Sequence, residues 1–159
     1  MRIPFMAAAR PIKQSGRAAG RYFRLYVDSN NLGGFTEVGE LEFLNQAGQD
    51  LFDIVPPVAT HSSAYSGGTS AMHAIDNNMT TRWAGNTNNN EWMKFVFPEA
   101  VEVFGITVRS LGLGMEAYTD RAIRDFRLEV SSNGIDWVTV KAWTNQTGWT
   151  PAEKRTYML

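Results

Sequence analysis

The sequence predicts an all-β fold, a single jelly-roll β-sandwich of about eight antiparallel strands preceded by an extended basic N-terminal arm. Three observations carry this. The chain has 159 residues, which fits one domain with its own core and leaves little room for a second. Hydrophobic residues make up 43% and charged residues 19%, a balance that packs a core and does not leave the chain disordered. Apolar residues recur with period two in short runs, and turn-forming residues separate the runs at regular spacing.

In chain order, residues 1–19 read as the arm and 20–159 as the sandwich. Residues 21–27 alternate, with Phe23, Leu25 and Val27 on one side and Tyr22, Arg24 and Tyr26 on the other, the pattern of a half-buried strand. An Asn- and Gly-rich turn follows at 28–34. Residues 37–44 alternate again through Leu41 and Phe43, and 50–55 read as a short strand ended by Pro56-Pro57. Residues 60–69 form a polar loop, 70–77 a single helical turn, and 86–90 an exposed Asn-rich loop. Five further strands are predicted over 92–97, 101–109, 124–131, 137–143 and 153–159, with turns at Pro98-Glu99, 111–118, Asn133-Gly134 and 144–148.

Composition narrows the function. Acidic residues number 16 and basic ones 15, so no global charge points to nucleic acid or a membrane surface. There is no cysteine, which excludes disulfides and thiolate metal sites. No apolar run reaches the roughly 20 residues needed to span a bilayer, so membrane insertion is not expected. Pro4, Arg10 and Pro11 interrupt any signal-peptide apolar region. Residues 1–27 carry Arg2, Arg10, Lys13, Arg17, Arg21 and Arg24 and no acidic residue, leaving nine basic against 16 acidic in the rest of the chain. A positive tether on a negative body suits an acidic groove on another protein subunit. Nucleic acid is the weaker partner, because the arm lacks interleaved aromatics beyond Phe5 and the body would repel phosphate.

Residues 60–83, THSSAYSGGTSAMHAIDNNMTTRW, combine a Ser-rich start with Ala74, Asp76, Asn77, Thr81 and Trp83. EWMKFVFPEAVEVFGITV follows as a Trp-led strand, and FRLEVSSNGIDW at 126–137 closes on a Ser-x-Asn-Gly-x-x-Trp pattern. This order of motifs resembles the discoidin family, also called coagulation-factor C-type or galactose-binding-like domains. RYFRLYVDSNNLGGFTEVGELEF at 21–43 resembles the family's last strands, yet here it stands before the Ser-rich start. The chain therefore resembles a circular permutant, joined through residues 45–59 and opened after Leu159. Permutation predicts that the strand at 153–159 pairs with or lies beside the strand at 21–27. Together the matches cover roughly residues 20–159.

The resemblance implies a structural Ca²⁺ site. Asp76, Thr81 and Glu40 would supply hard oxygen ligands, and the carbonyls of His73, Asn78 and Gly39 would complete the shell. The competing reading is that Asp76 and Thr81 only cap a turn; Glu40 tips the balance towards metal. Asn77 stands where the family usually has Gly, and Asn tolerates positive φ. The resemblance also implies a carbohydrate site on loops at one end of the sandwich. Pyranoses stack on aromatic rings while planar polar groups grip their hydroxyls. The candidates are His61, Tyr65, Asn88, Arg109, Tyr118, Arg121 and Trp149, set against the alternative that Asn-rich loops are ordinary solvated turns. Trp83, Trp92 and Trp137 read as core, Trp143 is ambiguous, and Trp149 is the best exposed ring.

No catalytic motif is present: no G-x-S-x-G, P-loop, dinucleotide or zinc signature, and only His61 and His73 as histidines. Glu37, Glu40 and Glu42 make a poor glycosidase pair on one strand. The sequence therefore reads as a non-enzymatic binding module. Phage tail and baseplate proteins resemble this build, so the expected setting is a virion, with loops turned to host-surface carbohydrate and the arm docked on other virion subunits. A purely structural adaptor without glycan binding is the alternative.

Overall fold

The computed structural model describes residues 12–14, 16–112 and 114–159 and is a β-sandwich. The strands are β1 (Ile12–Gln14), β2 (Arg17–Asn30), β3 (Glu37–Val38), β4 (Glu40–Leu44), β5 (Val58–His61), β6 (Trp83–Ala84), β7 (Asn89–Val103), β8 (Gly105–Arg109), β9 (Ile123–Ser131), β10 (Trp137–Trp143) and β11 (Lys154–Met158). The large sheet has the order β10-β9-β2-β7-β5, with β1 paired to the start of β2. The small sheet is β11-β8-β4, and β3 pairs with β6 as a separate ribbon. Every strand pairing is antiparallel.

The alternation read from the sequence decides which face is inside. Phe23, Leu25 and Val27 of β2, Met93, Phe95 and Phe97 of β7, and Phe126, Leu128 and Val130 of β9 are buried. They meet Leu41 and Phe43 of β4, Ile106 and Val108 of β8 and Tyr157 of β11 from the small sheet. Phe43 sits at the hub, with its ring centroid 4.7 Å from Phe52, 5.2 Å from Phe95 and 5.7 Å from Phe23. The edge-to-face contacts with Phe95 and Phe23 add to the area term that drives the two sheets together.

Four local expectations are corrected. Residues 51–54 form a helical turn, α1 (Leu51–Ile54), not a strand: the Asp50 carboxylate accepts from Phe52 N at 3.0 Å, and the turn drives Leu51 and Phe52 into the core. No turn breaks the chain at Pro98-Glu99. β7 runs on to Val103, because β2 continues alongside it as far as Ala18 opposite Val103, with a register shift between Gly20 and Tyr22 absorbing the irregularity. β2 begins at Arg17, ahead of the expected start near Arg21, so the arm's proposed end at residue 19 falls inside a strand. The helical turn expected over 70–77 is a short 3-10 turn, Ala71–Ala74. The arm's residues 1–11 lie outside the described residues.

β11 and β2 lie in different sheets, so they do not pair as the permuted reading expected. Their ends nevertheless flank one dipeptide. Ala18 is the ladder partner of Val103, and Leu159 N donates to Phe104 O at 3.0 Å.

Candidate functional site

At one end of the sandwich, the loops at 62–63 and 86–88 are fastened to each other by a buried carboxylate. Glu91, at the start of β7 and 3% exposed, accepts hydrogen bonds from Ser62 Oγ, from Ser63 Oγ (2.7 Å), and from Thr87 N (3.0 Å) and Oγ1 (2.9 Å). Burial alone would raise its pKa, but these donors outweigh it and hold the carboxyl below its ordinary range. Trp83 Nε1 donates to Ser63 O at 3.0 Å, and Thr36 N to Thr87 O at 2.7 Å, so the 31–36 loop joins the same frame.

This frame presents a row of rings and a guanidinium. Tyr65 packs edge-on to Phe35 at 4.7 Å. Arg121 lies over Phe35 at 5.3 Å and over Tyr118 at 3.9 Å, and pairs with Glu37 at 3.1 Å. Tyr65 is 59% and Tyr118 39% exposed, and neighbouring Leu32 is 86% exposed at φ 82. The 30–33 turn is closed by Asn30, whose Oδ1 accepts from Leu32 N and whose Nδ2 donates to Gly33 O. Gly33 is required there, since a Cβ would stand 2.6 Å from Arg121 Cγ.

Three of the sequence-derived carbohydrate candidates, Tyr65, Tyr118 and Arg121, are thus brought together, and Asn88 borders them through its carbonyl, which accepts from Asn30 N at 3.0 Å. The others are not part of the row. His61 ends β5, where its Nδ1 accepts from Ala71 N at 3.2 Å. Arg109 belongs to the small sheet: its Nη1 donates to Ala152 O at 2.8 Å, and it lines a cavity of about 180 Å³ with Glu40, Glu42 and Lys154. Trp149 is corrected from exposed ring to core residue. It is 7% exposed, its Nε1 donates to Ile123 O and Gln146 O at 3.0 Å, and Arg155 covers it at 4.0 Å. Trp83 is core as expected. Trp92 and Trp137 are not: they lie half-buried on the outer face of the large sheet, where Arg24 covers Trp137 at 4.5 Å. Trp143 packs inward on Phe126 and Tyr157.

Beside the row lies the Asp76–Thr81 loop. Thr81 Oγ1 donates to Asp76 Oδ1 at 2.8 Å and to Asn78 O at 2.8 Å, and Asn78 N donates to Asp76 Oδ1 at 3.0 Å and to Glu40 Oε1 at 3.1 Å. Asn77 takes φ 57, the conformation that Gly would adopt freely. Asp76, Thr81, Asn78 and Glu40 therefore form one oxygen-rich group. His73 Nδ1 lies 3.1 Å from Ser70 Oγ and Gly39 N donates to Arg109 O at 2.9 Å, bonds that leave the carbonyls put forward as ligands uninvolved. Glu40 is 8% exposed, and burial and the neighbouring Asp76 carboxylate push its pKa up to about 8. Two carboxylates held against each other with a hydroxyl and carbonyls at hand fit a hard cation. Among the described residues no group of three or more Asp, Glu, His or Cys could hold a metal ion; a cation in this loop would take most of its shell from carbonyls, the hydroxyl and water.

Phe35 and Glu91 escaped the sequence reading, and Glu37 was weighed only as a catalytic acid and set aside. Phe35 sat inside a turn-rich stretch. An acidic residue at a position where alternation demands an apolar one, as at Glu91 before Met93 and Phe95, was the available signal.

Among the described residues no helix is long and apolar enough to cross a membrane. Neither a curated protein nor a solved structure matches the chain. The model of the F5/8 type C domain matches residues 58–158. That stretch leaves out β2 and β4, although β2 is the middle strand of the large sheet and β4 an edge of the small one. Domains of this type are generally non-catalytic binding modules. With the match spanning more than half of the chain and the antiparallel sandwich in place around it, the chain belongs to the F5/8 type C, or discoidin, domain family.

Proposed function

We propose that this protein is a non-enzymatic virion component of the phage tail or baseplate kind, whose loop end binds host-surface carbohydrate. The observation that carries the reading is the half-exposed row Tyr65–Phe35–Arg121–Tyr118. Two rings are open enough to take an apolar sugar face, and the guanidinium between them, anchored to Glu37 through Nη1, has further donors for hydroxyls. Calcium in the Asp76–Thr81 loop would serve structure, with Asp76, Glu40, Thr81 and the Asn78 carbonyl as its ligands. The reading includes a permuted strand order, supported by the position of β2 and β4 ahead of the family match and by the shared neighbourhood of Ala18 and Leu159.

A glycan array probed with the isolated protein tests this. Binding to at least one glycan is expected, weakened about tenfold by Tyr65→Ala and by Tyr118→Ala. No bound glycan, or unchanged binding by both variants, overturns the carbohydrate reading.

A second reading, an assembly adaptor alone, draws on the basic residues Arg2 and Arg10 ahead of β1, since Arg17 and Arg24 of the expected tether are paired with Glu102 and Glu129 within the sheet. Because β1 and β2 begin at Ile12 and Arg17, the informative deletion is residues 1–11, not 1–19. Removing them should leave the melting temperature within about 2 °C while abolishing co-assembly with other virion subunits. Normal assembly of the truncated chain removes the argument for a docking arm.

A further inference from the structure

Glu37 joins the two halves of the site. It is 2% exposed at the start of β3, and arginines reach it from two different loops. Arg121 Nη1 donates to Glu37 Oε1 at 3.1 Å, and the same guanidinium carries Tyr118 and Phe35. Arg82 Nε stands 3.5 Å from Glu37 Oε2, and Arg82 directly follows Thr81 of the oxygen-rich loop. Three residues along the chain, Glu40 holds that loop at Asn78. The segment 37–40 therefore grips the 76–82 loop at both ends, and one of these grips also bears the ring row.

The two bridges at Glu37 are not equally made. Glu37 Oε2 and Arg82 Nε are buried and have no hydrogen-bond partner, and neighbouring Thr36 Oγ1, on a residue that is fully buried, has none either. These are three of the four such side-chain atoms among the described residues. A buried donor and acceptor facing each other at 3.5 Å gain hydrogen-bond free energy once brought about half an ångström closer. Whatever draws Asp76, Thr81 and Glu40 around a common centre also acts on the residue next to Thr81. Glu37 is laddered to Ala84 and bridged to Ala122, and Arg82 directly precedes the same ladder at Trp83, so the adjustment falls to the longer, partly exposed Arg82 side chain.

We infer that Glu37 is a positioning residue that couples cation occupancy of the Asp76–Thr81 loop to the order of the Phe35–Arg121–Tyr118 row. A divalent cation gathers the loop oxygens, completes the Arg82–Glu37 bridge, and stiffens the carboxylate on which Arg121 rests. Cation and row ligand then each favour the binding of the other by the same factor. The inference rests on the proposed cation site and adds a partner-to-partner linkage to it.

Hydrogen–deuterium exchange on the full chain, in calcium chloride and in chelator, reads this without a glycan. In the wild-type protein calcium slows exchange of peptides spanning 76–82 and, by about fivefold or more, of peptides spanning 114–121. In Glu37→Gln and in Arg82→Gln, calcium still protects 76–82 but no longer 114–121. Arg82 is on the partly exposed side of the pair, so its variant tests the link even where Glu37→Gln fails to fold. Wild-type protection confined to 76–82 overturns the coupling and leaves the cation site standing. Protection of 114–121 that persists in Arg82→Gln overturns the route through Glu37. No calcium effect on either segment overturns the cation site and the coupling together.

Discussion

Glu91→Ala should lower the melting temperature by roughly 5–15 °C and abolish binding at the loop end, the largest effect of any single substitution at the site. The carboxylate is the shared acceptor for Ser62, Ser63 and Thr87, and alanine leaves those donors facing a small buried void. Leaving buried donors without an acceptor costs about 2–4 kcal/mol in total, since part of the loss is recovered by water entering the loops. Gly85 lies against the same side chain, where a Cβ would stand 2.7 Å from Glu91 Cδ, so the loop that closes over it also loses its support. The dependence on pH follows from the direction of the shift. Folding lowers this carboxyl's pKa, so its contribution is fully present above the ordinary carboxylate range and is lost as pH falls through the lowered value. Thermal melts of wild type and Glu91→Gln between pH 3 and 7 should therefore converge in acid. Parallel curves across that range would show that Glu91 is not the anchor.

Calcium should raise the melting temperature by roughly 5–10 °C at a hundredfold excess over its Kd, where mass action supplies about 2.7 kcal/mol. Asp76→Ala should remove the response. Glu40→Gln separates the electrostatic argument from simple ligand loss. It deletes one of two carboxylates that oppose each other, so in chelator at pH 8 and above it should melt higher than wild type while no longer responding to calcium. A melting curve that is the same in calcium and in chelator reduces the loop to a set of hydrogen-bonded turns. Tyr118 and Tyr65 supply no ligand to that loop, and their alanine variants should still melt higher in calcium than in chelator.

How much of this was legible in the sequence depended on whether a residue's partners were near in the chain. The strands over 21–27, 124–131 and 137–143 announced themselves by alternation, because a two-residue period is a property of one strand, whereas the single strand expected over 37–44 is two, β3 and β4, parted at Gly39 into different sheets. α1 did not, since four residues are too few for a helical period and Leu51-Phe52 reads equally as strand. The Asp76–Thr81 loop was visible for the same local reason: its hydroxyl, carboxylate and carbonyl are within five residues of one another. Trp149 was misread because a Thr-Gly-Trp-Thr-Pro context signals a loop and says nothing of what covers it; Arg155 and the carbonyl of Ile123 do so from elsewhere in the chain.

The sequence by itself determined the fold class, the inward faces of the main strands, the family and the oxygen-rich loop, all of which follow from period-two burial or short-range spacing. Only the tertiary structure decided that Phe35 lies between Tyr65 and Arg121, that Glu37 receives arginines from positions 82 and 121, and that Glu91 ties together loops near 62 and 87. These are contacts across tens of residues. Their free energy comes from desolvated charge and stacked rings, and it exists only after burial of the apolar core has paired the strands that carry them.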